Sequence, residues 1–213
     1  MAAELKGLPK LPLTDGLVIM GFDPPSSRNA GWGCVKMEGD KTVLLSKFTQ
    51  VIERDPDDIG RMRDIYDQAQ KNILEFKPKI LCIERSLGGG LQFVRGNLSE
   101  GVGVVKMCCH DMGVLVYEVS PGHLKKIITG NGRAKKKHII SNVAAWFGLD
   151  KKGVEHECDA VAFALCCMVD MGWQGYEIKV PYVEEPKKKA KFAEMLYQKD
   201  QPAKTQKSAR DKE

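Results

Sequence analysis

An α/β domain is predicted here, with helices flanking a mixed five-stranded sheet whose first three strands run antiparallel. Three observations predict it. Short apolar runs bounded by turn residues stand at 16–23, 79–84 and 113–119, as buried strands do. Two further extended segments, 30–37 and 42–51, flank Glu38-Gly39-Asp40, which reads as a hairpin turn. Beyond Asp57 the apolar spacing changes from two to three and four, the period of an amphipathic helix.

Taken in order, the first strand (GLVIMGFD) opens after Asp15-Gly16 and stops at Pro24-Pro25. The second carries Trp32, Cys34 and Val35, and the third Val43, Leu44 and Leu45. Ile59, Met62, Tyr66, Ala69 and Ile73 then form one helical stripe that Pro78 terminates. The strand KILCIE follows, and Gly88-Gly89-Gly90 breaks the chain after it. A helix is expected over 93–112, where Gly96, Gly101 and Gly103 lower helix propensity and offer close packing against a neighbour. After the strand GVLVYEV, a helix over 135–147 is capped by Gly148. A last helix over 155–171 is apolar nearly all round and therefore buried. The resulting order is β-β-β-α-β-α-β-α-α, and no internal repeat is present.

The chain has 213 residues, 43% of them hydrophobic, enough for one domain with a full core. Three segments are expected: an N-terminal extension over 1–15, the folded domain over 16–172, and a Lys-rich tail over 173–213. The tail contains Lys187-Lys188-Lys189 together with Phe192, Leu196 and Tyr197; it reads as partly mobile and solubilising. Residues 1–15 hold no apolar stretch of signal-peptide length, and the longest apolar run, Ala160 to Val169, has ten residues, too few to cross a membrane. A soluble, intracellular protein is expected. Seven cysteines include the adjacent pairs Cys108-Cys109 and Cys166-Cys167 but no C-x-x-C, and Cys108-Cys109-His110 has no second ligand pair. They read as core thiols of a reducing compartment.

Charge is concentrated. Between Pro121 and Lys152 stand Lys125, Lys126, Arg133, Lys135, Lys136, Lys137, Lys151 and Lys152 against the single acid Asp150, so this segment is +7 while the whole chain is only +5. Such a block suits a polyanion.

The acids are placed just as unevenly. Asp23 ends the first strand and Glu84 the fourth, each after an apolar run, while His156 and Asp159 lie three apart at the start of the last helix and share a face. A carboxylate closing a buried strand is costly unless something neutralises it, and a divalent cation does so. Each of these residues alone has an ordinary structural reading, as a strand end or as a complement to a helix dipole; their combination points to a metal site.

The segments GFDPPSSRNAGWGCV, LCIERS, HLKKIITGNGRAKKKHI and HECDAVAFAL occur in this order, and together they resemble the RuvC-type Holliday junction resolvases of the ribonuclease H-like (retroviral-integrase) superfamily. The resemblance spans roughly 16–171. It implies a ribonuclease H-like fold and a homodimeric, metal-dependent endonuclease that cuts four-way DNA junctions. It also implies that Asp23, Glu84, His156 and Asp159 hold Mg²⁺, two ions per site with Mn²⁺ as a substitute, and that Lys125 and Lys136 contact phosphates. With them, Lys126, Arg133, Lys135 and Lys137 are the expected DNA-binding residues. Two positions depart from the family pattern: Pro25 stands where Gly is usual, and Leu87 where several members carry an aromatic that helps open the junction, a role open to Phe93. A flap or fork nuclease of the same fold, and a non-catalytic junction-binding module, remain alternatives.

Overall fold

The computed structural model describes residues 8–25, 28–52, 58–85, 92–150 and 155–183, with the backbone course alone at 58 and 92–98. Leu87, the Phe93 side chain, Gly88 to Gly90, Lys151, Lys152 and the tail beyond 183 lie outside the described residues. Strands β1 (Val18–Asp23), β2 (Asn29–Glu38) and β3 (Lys41–Val51) form an antiparallel meander, which β4 (Ile80–Glu84) and β5 (Leu115–Val119) extend in parallel. The sheet order is β3-β2-β1-β4-β5. Helices α1 (Asp58–Phe76) and α2 (Gln92–Asp111) cover one face; α3 (Pro121–Thr129), α4 (Lys136–Phe147) and α5 (Glu155–Asp170) cover the other. Through Tyr182 the described chain forms one compact unit.

Strand parity divides the core. Val18, Met20, Phe22, Leu81 and Ile83 pack with Ile65, Ala69 and Ile73 of α1 and with Val105 and Cys109 of α2. Ile19, Ile80 and Cys82 pack with Leu124, Ile139, Val143 and the buried length of α5. Because alternate side chains face opposite ways, Asp23 continues the set of Ile19 and Gly21, and Glu84 that of Ile80 and Cys82. Both carboxylates therefore end on the α5 side. The buried strand ends and the buried last helix match the sequence expectation, and all seven cysteines are buried and free.

Four details differ from that expectation. Helix α3 is an added element: Ser120 caps it by accepting from the His123 N–H at 3.3 Å, Pro121 opens it, and Gly130 at φ 78 closes it. The buried α1 stripe runs through Ile65, Ala69 and Ile73, whereas Ile59, in the first turn of the helix, is 69% exposed. Of the α2 glycines, Gly101 and Gly103 do not make close packing, since a Cβ at Gly101 would find ordinary contacts and one at Gly103 nothing at all. It is made at Gly21 and Gly31, where a Cβ would fall inside the backbone carbonyls of Ala160 and His156 in α5.

Residues 173–182 run back over the domain. The Trp173 indole donates to the Asp40 carbonyl at 3.0 Å, the Tyr176 hydroxyl to the Ile128 carbonyl at 2.9 Å, and Asn142 pairs its amide with the backbone of Val180. This segment ties the β2–β3 turn to α3 and α4.

Replacing Gly21 by Ala is expected to destabilise the protein by at least about 3 kcal/mol, because backbone meets backbone and cannot give way. Gly103→Ala in exposed helix should instead stabilise by about 0.5–1 kcal/mol. Urea unfolding of both variants against the wild type measures the two effects.

Candidate active site

Two strand ends and the start of one helix deliver acids to one place. Asp23 arrives at the end of β1, opposite Gly31 of β2, and Glu84 at the end of the parallel neighbour β4. Asp159 comes from the first turns of α5, which Gly21 and Gly31 allow to lie against the strands. Together with Lys125 and Leu124 of α3, Lys136 and Ile139 of α4, Pro121 and Phe163, they line a cleft of about 200 Å³. The cleft is at the carboxyl ends of the parallel strands, where α/β sheets collect ligands.

His156 reaches the group through Asp23: its Nδ1 lies 2.8 Å from the Asp23 Oδ2. The Lys136 ammonium sits 2.7 Å from the Asp159 Oδ2. Asp23 and Asp159 are only 14% and 13% exposed, so their charges are poorly hydrated. Burial, and then the Asp159 charge, push the Asp23 carboxyl up to about 6, against the hydrogen bond from His156 and the charge of Lys136. Burial followed by Asp159 raises Glu84 as well, with Lys125 and Lys136 opposing. Burial also raises Asp159 although Lys136 is bound to it. Burial works against the charge on Lys136, yet the hydrogen bond to Asp159 and the surrounding acids outweigh it and raise its pKa.

This electrostatic pattern is the test of whether a cation fits. Three largely buried carboxylates ring the cleft, and each is made harder to ionise by burial and by a carboxylate neighbour. One ammonium and one imidazole within hydrogen-bond reach leave that negative charge incompletely offset. All three offer hard oxygen donors, the kind Mg²⁺ takes while keeping part of its water shell. The arrangement fits a divalent cation.

Of the expected DNA contacts, Lys125 and Lys136 line the cleft. Lys126, Arg133, Lys135 and Lys137 are exposed on α3, on the turn after it and at the start of α4, and they do not line it. Sequence reasoning missed the apolar wall of Leu124, Ile139 and Phe163 and the pairing of Lys136 with Asp159. A signal for the former was available: Ser120-Pro121 followed by Gly130 marks a short helix that turns Leu124 inward.

Comparison with known proteins agrees with the fold. The family model described as "Crossover junction endodeoxyribonuclease RuvC" matches residues 19–167. A crossover junction endodeoxyribonuclease RuvC of Prochlorococcus marinus is 28% identical over 160 residues, covering 73% of this chain and 98% of its own. The RuvC of Thermus thermophilus, solved in complex with a Holliday junction substrate, is similar at TM-score 0.65 and 24% identity, covering 73% of this chain and 96% of the other. The yeast mitochondrial Holliday junction resolvase is similar in fold at TM-score 0.53 and 10% identity, over 76% and 82% of the two chains.

The raised Asp23 carboxyl gives a pH signature in metal-free protein. The folded state holds the Asp23 proton up to about pH 6 and the unfolded chain only to its ordinary value of 3.8. Between those limits the folded state binds more protons, so stability falls as pH rises. Asp23→Asn, which stays neutral, should escape that loss. In EDTA its stability relative to wild type is expected to rise between pH 4 and 6.5 by on the order of 2 kcal/mol, as read by urea unfolding at each pH. Parallel pH profiles for the two proteins would contradict the burial of an ionising Asp23.

Proposed function

The chain belongs to the RuvC family of crossover junction endodeoxyribonucleases, and we propose that it resolves four-way DNA junctions as a homodimer, by paired Mg²⁺-dependent phosphodiester hydrolysis. It is a metal-dependent endodeoxyribonuclease by that membership. The observation that carries the finer reading is the cleft in which Asp23, Glu84 and Asp159 stand together with Lys125 and Lys136. On this reading the nuclease domain spans 16–172 with residues 173–182 packed on it, and the protein works inside the cell where DNA is.

Asp23, Glu84 and Asp159 would hold two Mg²⁺ ions, with His156 beside them and Mn²⁺ as a substitute. Bound there, the metal supplies charge relief at the scissile phosphate and a more acidic water. The chain's own groups do the rest. With Nδ1 donating to Asp23, the imidazole of His156 is fixed in the tautomer whose Nε2 carries a lone pair, and that nitrogen can accept the proton of the attacking water. Lys125 and Lys136 offer ammonium groups to non-bridging phosphate oxygens at the cleft. Lys126, Arg133, Lys135 and Lys137 hold the backbone of the arms further out; such contacts give affinity without sequence preference and weaken steeply with salt. The apolar wall of Leu124, Ile139 and Phe163 narrows the cleft and limits the water that reaches it.

The Thermus relative was solved with a Holliday junction substrate, and a junction with approximate two-fold symmetry calls for two active sites related in the same way. Cutting a labelled four-way junction in Mg²⁺, beside linear duplex and a Y-fork, tests this. Paired, symmetric nicks on the junction are expected, with Asp23→Asn at least 1000-fold slower by the usual scale of lost metal-site chemistry while still binding the junction. Sedimentation at working concentration should find a dimer. Equal cutting of junction and fork would replace the junction reading with a general branched-DNA nuclease. Binding without cleavage by the wild type in both Mg²⁺ and Mn²⁺ would make the fold a binding module.

A further inference from the structure

A second cluster of metal-ligating side chains lies at the far end of α5 from the cleft, about 16 Å along the axis from Asp159 to Asp170 at 1.5 Å per residue. Asp170, 3% exposed, is approached from three elements. The His123 Nε2 of α3 lies 2.8 and 3.0 Å from its two oxygens. The Tyr117 hydroxyl of β5 donates to Oδ2 at 2.9 Å, and the Cys166 thiol, one turn back on α5, lies 3.7 Å from the same oxygen. Among the described residues this is the one place where three ligating atoms from different side chains, here N, S and O, lie within 4.8 Å of one another.

We propose that His123, Cys166 and Asp170 form a zinc site, separate from the Mg²⁺ cleft and independent of the nuclease reading. The donor set is the first argument. Imidazole, thiolate and one carboxylate suit Zn²⁺, whereas the all-oxygen acids of the cleft suit Mg²⁺. Spacing is the second. A tetrahedral ion with Zn–N and Zn–O of about 2.0 Å and Zn–S of about 2.3 Å requires O···N near 3.3 Å and O···S near 3.5 Å. The distances present are 2.8–3.0 Å and 3.7 Å, so insertion asks for shifts of about half an ångström in these pairs.

Chemistry at Asp170 is the third argument. Each side-chain partner described around this buried carboxylate can donate a proton to it: an imidazole, a phenol and a thiol. A cation can take over that neutralising role. Burial, then the Asp170 charge, hold the Cys166 thiol in its protonated form; Zn²⁺ entry releases that one proton to solvent and leaves a thiolate ligand with neutral His123. The His123 side chain, 28% exposed, gives an entry path and room for water as fourth ligand. Tyr117, bonded to the carboxylate, fixes its orientation in the way that outer partners orient metal ligands. The ion would tie α3, which carries Lys125 two residues later, to α5, which carries Asp159.

The test uses the full chain, stripped with EDTA, desalted and titrated with Co²⁺ in excess Mg²⁺. One Co²⁺ per chain is expected, with visible bands of tetrahedral intensity and a near-ultraviolet thiolate-to-cobalt band, displaced one-for-one by Zn²⁺. Cys166→Ser should abolish the thiolate band, and His123→Gln should weaken Co²⁺ binding at least tenfold. Asp23→Asn should change neither. Absence of the thiolate band in wild type, or its survival in Cys166→Ser, would overturn the proposal, leaving the cluster a hydrogen-bond network. If Cys166→Ser fails to fold, His123→Gln decides: unchanged Co²⁺ affinity there overturns it equally.

Discussion

Because neither Gly21 nor Gly31 carries a Cβ, the carbonyls of Ala160 and His156 rest directly on β1 and β2, and the first turns of α5 sit as close to the sheet as backbone atoms permit. Whether the acid from α5 meets those from the strands follows from that contact. Asp23 and Glu84 are fixed by strand parity and by the parallel pairing of β1 with β4. Asp159 and His156 are fixed only by how deeply α5 is seated. A helix held off the sheet by one methyl group would carry Asp159 away from its partners and break the 2.8 Å hydrogen bond between His156 and Asp23. The buried length of α5, from Cys158 to Met168, supplies the apolar surface that holds it in place.

Seating the helix so deeply concentrates negative charge where water is scarce. Desolvation is the largest influence on all three carboxylates and acts against ionisation in each. Lys136 answers part of this from the first turn of α4, and Lys125 from α3. Helices α3 and α4 thus have two tasks: closing the core over β4 and β5 and bringing cationic groups to the cleft rim. The segment after α5 helps hold them, through Tyr176 against Ile128 and Val180 against Asn142.

Much of this was legible in the sequence because it depends on short-range periodicity. Apolar runs ending in Asp23 and Glu84, a uniformly apolar stretch beginning with His156 and Asp159, and turn residues between strands each carry their own local signal. Helix α3 was missed because nine residues with a basic, exposed side show little periodicity; its signature lies in Ser120, Pro121 and Gly130 rather than in its interior. Ile59 fits the three-and-four spacing yet stands exposed in the first turn of α1, because spacing alone does not say how far along the helix the sheet contact extends. The role of Gly21 and Gly31 could not be read from the chain alone, since what excludes a Cβ there is backbone more than a hundred residues away. The pairing of Lys136 with Asp159 is tertiary in the same sense: nothing local distinguishes Lys136 from Lys135 or Lys137.

On the proposed function, the deep seating of α5 turns three separately placed carboxylates into one metal-binding cleft. Anomalous diffraction from crystals soaked in Mn²⁺ tests it most directly. Anomalous peaks are expected inside the cleft, with carboxylate oxygens of Asp23, Glu84 and Asp159 at ligand distance from them. Well-ordered crystals with no peak in the cleft, or with Mn²⁺ held by residues elsewhere, would contradict it.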